Sequence, residues 1–163
     1  MAARAFSFAD RIVATPWLAA LGFLALSQTA HLLEHIAQMI QIHVVHLTGA
    51  SAQGIVGQLN VEWVHFIWNV FVLVAILALL PRFPRNPWLI AVAPLAAWHF
   101  VEHSVMIATY IRTGVAGSPG FLSSGGLIAG GLPITRPDLH FLYNLVETVP
   151  LLGAWVAELR RIP

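Results

Sequence analysis

Two copies of one short pattern, His31-x-x-Glu34-His35 and His99-x-x-Glu102-His103, stand inside long apolar stretches of the chain. On a helix, positions i, i+3 and i+4 share a face, so each copy presents two imidazoles and a carboxylate in one direction. Ionisable groups within hydrocarbon are costly and generally functional, and imidazole is the commonest metal ligand. The chemistry these residues suit is metal ligation. The expected ligands are His31, His35, His65, His99, His103 and His140, with Glu34 and Glu102 as bridging or catalytic acid/base groups. Interhelical hydrogen bonding is the bland alternative. Such bonds average only ~0.6 kcal/mol, whereas a carboxylate at mid-membrane costs roughly 2.5–3.5 kcal/mol on insertion scales.

His65 and His140 enter through a second repeated motif. His65-Phe66-Ile67-Trp68-Asn69 matches His140-Phe141-Leu142-Tyr143-Asn144, at an offset of 75 residues against 68 for the triads. The difference fits a longer loop in the second half. Each half then reads as a helical hairpin, about 16–81 and 87–159. An even number of spans separates equivalents, so the halves share one topology, related by a pseudo-two-fold axis along the membrane normal. At ~1.5 Å rise per residue, counting along the spans puts all six histidines in the outer half of the bilayer. Asn69 and Asn144 lie one turn deeper and suit hydrogen bonds that orient ligand imidazoles. Glu147, two turns beyond His140, has neither a repeat partner nor an evident counter-charge.

Known metal patterns come near without matching. The reversed zincin motif has the same His-x-x-Glu-His spacing but not two copies in a membrane. Ferritin-like carboxylate sites need Glu-x-x-His on two helices; Glu62-x-x-His65 supplies one, and Pro137 stands where the second acid would be. The chain resembles integral-membrane desaturases and hydroxylases, which hold two irons through His-x-x-His-His boxes, in setting many histidines on membrane helices with glutamate in place of one. The resemblance extends to motif character rather than to order or length, and no family is assigned on it.

The elements that must position these groups are membrane helices. The 163 residues are 58% hydrophobic and 9% charged, with a mean hydropathy of +0.79, whereas soluble domains carry roughly 25% charged residues. The expected fold is an all-α integral membrane four-transmembrane-helix bundle in a single domain. Its spans run from about Pro16 to His46, Val61 to Leu80, Pro87 to Arg112 and Pro137 to Leu159, each near or above the ~20 residues a crossing needs. Thr15-Pro16 and Asn86-Pro87 read as N-caps followed by proline in the first turn, and Pro94 and Pro150 fall inside spans. A cleaved signal peptide is rejected, because cleavage would discard one helix of the repeat. Arg4, Arg11, Arg82, Arg85, Arg160 and Arg161 fall on the side of the termini and central loop, against Arg112 and Arg136 opposite. The positive-inside rule then places both termini in the cytoplasm of a bacterial inner membrane. No cysteine is present, which excludes thiolate and iron–sulfur sites, and a net charge of +1 without a basic patch excludes nucleic acid.

Other polar residues read as supporting parts. Glu62 and Asp138 begin inward-running helices, where an acid suits the helix dipole. His43 and His46 read as interfacial, Gln28, Gln38 and Gln41 as packing or hydrogen-bonding residues. Trp63, Trp68 and Trp98 sit beside the motifs and suit a pocket wall. The glycine-rich apolar loop from about 113 to 137 is too apolar for a solvated linker and reads as a lid or partner surface.

The functional expectation is a membrane metalloprotein with a His/Glu di-metal centre doing oxygenase- or oxidase-like redox chemistry on a lipophilic or small apolar substrate. Iron is the first choice of metal, with copper or zinc behind it. The alternatives are a b-type haem protein serving electron transfer or quinone, and a non-enzymatic metal-handling or assembly subunit. Expected partners are the lipid bilayer and either a larger membrane complex or a second copy of the chain.

Overall fold

In the computed structural model, which describes residues 8–48, 51–57 and 61–161 (with α1 side chains from residue 16 on), the chain forms four helices: α1 (Phe8–His43), α2 (Glu62–Leu79), α3 (Pro87–Thr113) and α4 (Arg136–Leu159). Arg4 and the side chain of Arg11, which entered the reading of orientation, lie outside the described residues. The first helix departs from expectation at both ends. It begins at Phe8 and runs through Pro16, so Thr15 is not an N-cap. Proline at 16 forgoes one hydrogen bond back to the preceding turn, and the helix-compatible residues before it carry the helix on. At the other end α1 stops at His43, and His46 adopts a left-handed backbone (φ 60°). The second N-cap is present: the Asn86 side chain accepts from the Leu89 N–H with Pro87 in the first turn. At α4 the cap is Thr135, whose hydroxyl accepts from the Asp138 N–H, and the helix starts at Arg136, one position before the expected Pro137.

Three of these helices, Pro16–His43, Glu62–Leu79 and Pro87–Thr113, are long and apolar enough to cross a membrane. α4 is 24 residues long but carries Asp138, Glu147 and Glu158. α1 packs chiefly on α4, α2 on α3, α3 also on α4 and α1 on α2, while the backbones of the two diagonal pairs stay apart and only side chains meet between them. The helices therefore enclose one axis.

Polarity is distributed inside out. His31, Glu34, His35, His65, Asn69, His99, Glu102, His103, His140, Asn144 and Glu147 are buried, whereas Phe23, Leu26, Ile67, Val74, Ile90, Leu142 and Val149 are exposed. That pattern suits a hydrocarbon solvent, in which only apolar surface belongs outside and polar groups must find partners within.

Along the axis the interior is layered. The loops after α1 and α3 close one end, followed by the six histidines and then by Gln28, Asn69, Asn144, Glu147 and Thr148. Beneath lies an apolar plug to which every helix contributes: Leu21 and Leu24, Val72 and Ile76, Leu89 and Val92, Leu151 and Ala154. The far end is clamped by Asn86, which donates to the Ala154 carbonyl (3.0 Å) and to Glu158 (2.8 Å), itself paired with Arg161 at 2.6 Å.

Candidate metal centre

Helical spacing delivers the two triads, and a third imidazole joins each from a neighbouring helix. His31, His35 and His65 form one group, His99, His103 and His140 the other, and within each group the ligating atoms lie within 4.8 Å of one another. Both groups are buried, and each could hold a metal ion. They also adjoin. His65 stacks on His103 with ring centroids 5.6 Å apart, and His35 and His65 lie 6.1 and 5.8 Å from His140. Six rings from four helices make one continuous cluster.

Hydrogen bonds to the other ring nitrogens decide which atoms face inward. A carbonyl only accepts, so the contact of His140 Nδ1 with the Arg136 carbonyl (3.1 Å) puts the proton on Nδ1 and leaves Nε2 a free lone pair. His65 does the same with the Val61 carbonyl at 3.3 Å. His35 Nδ1 lies 3.4 Å from Gln38 Oε1, and His99 Nδ1 3.0 Å from Glu147 Oε1. The Nε2 atoms of His31 and His35 are buried and have no hydrogen-bond partner among the described residues. In the second triad His103 Nε2 lies 3.1 Å from His99 Nε2 and 2.9 Å from His140 Nε2. Two ligands held at about 2.0–2.1 Å from one ion stand about 2.8–3.4 Å apart at square or tetrahedral angles, so these separations match one edge of a coordination polyhedron. Unpaired buried nitrogens are expensive; a cation among them removes that cost.

The two glutamates of the motif turn elsewhere. Glu34 Oε1 accepts from the Val56 N–H at 2.6 Å, in the loop after α1. Glu102 accepts from the N–H groups of Phe121 (2.6 Å) and Leu122 (3.0 Å), in the loop after α3, and from the Tyr143 hydroxyl at 3.2 Å. Each loop also brings a glycine of positive φ against its glutamate, Gly54 (φ +80°) on Glu34 and Gly120 (φ +68°) on Glu102. A side chain at either position would be strained and would press on the carboxylate. The geometry thus puts Glu34 and Glu102 beside the histidine layer and uses their oxygens to fasten the loops that cover it.

Asn69 and Asn144 donate to the carbonyls of His65 and His140 one turn back (both 2.9 Å), rather than to any imidazole. Ring orientation comes instead from the Val61 and Arg136 carbonyls. Glu62 accepts from Arg136 at 2.7 Å and from the Gly117 N–H at 2.9 Å, tying α2 to α4 and to the second loop. His43 pairs with Asp138 at 2.6 Å, while Gln38 and Gln41 hold the Ala52 and Gly54 carbonyls of the first loop. Gln28 lies fully buried, donating to Asn144 and accepting from Trp68 Nε1, both at 2.8 Å. Trp98 donates to Tyr143 at 2.8 Å and its ring meets Phe121 at 6.0 Å, whereas Trp63 is exposed.

A cavity of about 360 Å³ runs from the loop end to the cluster, reaching His35, His65 and His140 between Leu47, Thr48 and Arg136. The roles of the Arg136 and Tyr143 side chains do not follow from the sequence, because both act across helices, on Glu62 and on Glu102. No known protein family, curated protein or solved structure matches the chain.

Proposed function

We propose that the protein is an integral membrane metalloprotein with two transition-metal ions side by side, three imidazoles to each, performing oxidase- or oxygenase-like chemistry on a small apolar substrate. One observation carries the reading: six buried histidines converge as two triads, with the Nε2 atoms of His31 and His35 unpartnered among the described residues and those of His99, His103 and His140 facing one another. Two adjacent redox-active ions would supply two-electron chemistry, with molecular oxygen as acceptor. The chain's own residues hold the ligand set, exclude water beneath it through the apolar plug, and leave the cavity at His35, His65 and His140 as the approach for substrate.

The donor set guides the choice of metal. Carboxylate di-iron sites take glutamates as ligands, but here both motif glutamates serve the loops and the inward-facing donors are neutral imidazoles. Imidazole suits zinc, copper, iron and nickel, and among divalent ions affinity peaks at copper, so copper is preferred to iron. A haem needs wide apolar walls around its ligands. The six rings pack on one another instead, which favours bare ions.

The four-span reading is supported by the faces of α4. Its polar residues His140, Asn144, Glu147 and Glu158 are buried, while Leu142, Val146, Val149 and Val156 face outward. The duplicated-hairpin reading is supported by the paired roles of Glu34 and Glu102, of the Val61 and Arg136 carbonyls, and of Asn69 and Asn144. We place both termini in the cytoplasm and the histidine layer in the outer leaflet of a bacterial inner membrane. Exposed Leu127, Ile128 and Leu132 in the second loop supply an apolar surface for a partner subunit. Purification in mild detergent, with elemental analysis and an absorption spectrum, tests the reading. Two transition-metal ions per chain and no haem band are expected; protein without stoichiometric metal would overturn it.

A further inference from the structure

Glu147 breaks the duplication. Its carboxylate is 1% exposed and lies 3.0 Å from His99 Nδ1, also 1% exposed. The second oxygen, Oε2, is 3.4 Å from Gln28 Nε2. Among the described residues His99 is its only ion-pair partner, so the countercharge this buried acid needs must come through the His99 ring. The offset of the second motif puts Val72 at the corresponding place on α2, inside the apolar plug. His31, the counterpart of His99, has the Trp68 ring 5.2 Å away and an unpartnered Nε2. One triad has a carboxylate behind a ligand; the other has an indole.

A carboxylate that accepts the outer N–H of a ligating histidine fixes its tautomer, raises its basicity and commonly contributes 10–100-fold to metal affinity. It also places a negative charge near the ion in a low-dielectric setting, where attraction is strong. The cavity adds an independent asymmetry. It reaches two imidazoles of the first triad, His35 and His65, but only His140 of the second.

We infer that Glu147 makes the two metal positions unequal: the His99, His103 and His140 position fills first and binds more tightly, and the His31, His35 and His65 position holds the exchangeable ion. Glu147 is thus a positioning residue acting through His99. The inference rests on the two-ion reading above, and the test separates the two. Metal-free protein in detergent is titrated with zinc ion alone against a chromophoric chelator. The wild type should bind in two steps, the first at least about tenfold tighter. Glu147→Gln keeps the side chain's shape and should weaken the tighter step about 10–100-fold while leaving the weaker one in place. Unfolding of the metal-free protein, followed by circular dichroism, should not become easier. His31→Ala should delete the weaker step alone, and His99→Ala the tighter, so the assignment survives even if Glu147→Gln fails to fold. Two equal steps in the wild type, equal weakening of both steps by Glu147→Gln, or loss of the tight step in His31→Ala would each overturn the inequality. Absence of any zinc binding by the wild type would instead overturn the metal centre itself.

Discussion

Replacing Glu102 by glutamine separates a loop anchor from a participant in metal chemistry. Among the described residues three donors and no acceptor face its oxygens: the Phe121 N–H on Oε2, the Leu122 N–H and the Tyr143 hydroxyl on Oε1. Glutamine keeps one oxygen and turns an amide NH₂ toward whichever donors remain. Tyr143 can rotate its hydroxyl to accept, but a backbone N–H cannot, so one of the two loop amides loses its partner. A hydrogen bond to a charged group contributes about 1.5–3 kcal/mol. At 1.4 kcal/mol per factor of ten, opening of the loop should rise roughly 10–150-fold. Hydrogen exchange at Phe121 and Leu122, measured on detergent-solubilised protein, reads that change directly, with metal content followed alongside. Faster exchange in the loop with metal retained is the expected result. Unchanged exchange together with lost metal or an altered spectrum would refute the anchoring role and return Glu102 to the metal site. Gly120→Ala supplies a check from the other side of the contact, since its positive φ and its clash with the Glu102 carboxylate should loosen the same loop without touching a ligand.

Three further outcomes are expected. His103→Ala removes the nitrogen that both His99 and His140 face; it should lower the metal content by one ion of the pair with helical circular dichroism retained. Asn86→Ala abolishes the cap on α3 and the link to Glu158, which should destabilise the bundle by about 1–3 kcal/mol, read by thermal unfolding, with metal content unchanged. Acidification should release metal reversibly, because ligating imidazoles must be neutral and protons compete for them; a chelator-monitored pH titration checks the sign.

Much of this architecture could be read before any coordinates. Apolar length and proline positions placed α2, α3 and α4 within a residue or so at each end, because boundaries set by Asn86, Pro87 and Pro137 are local. The start of α1 was misread because proline suits the first turn of a helix yet does not forbid an earlier one. Spacing within a helix brought His31 to His35 and His99 to His103. The third member of each group needed the repeat, and that is why His65 and His140 were legible. What the spacing could not resolve was direction. Glu34 and Glu102 share a motif with the ligands, but the i+3 position is turned from the i and i+4 positions by a sizeable angle, enough to aim a carboxylate at a loop. Glu147 was visible as an isolated acid, but its partner His99 lies on another helix, and sequence periodicity carries no information across helices.

The apolar plug below the histidine layer has an electrical consequence. Moving one elementary charge through the full membrane potential involves about 2.3 kcal/mol per 100 mV, but only motion along the field counts. Among the described residues Leu24, Val72, Ile76, Val92 and Leu151 set an apolar layer between Glu147 and the Asn86 end, while the cavity opens at the loop end. In the proposed reading, protons and substrate would therefore enter and leave on one side and cross a small part of the membrane thickness. In the proposed placement, turnover would be almost indifferent to the transmembrane voltage, and the protein would neither build an ion gradient nor draw on one.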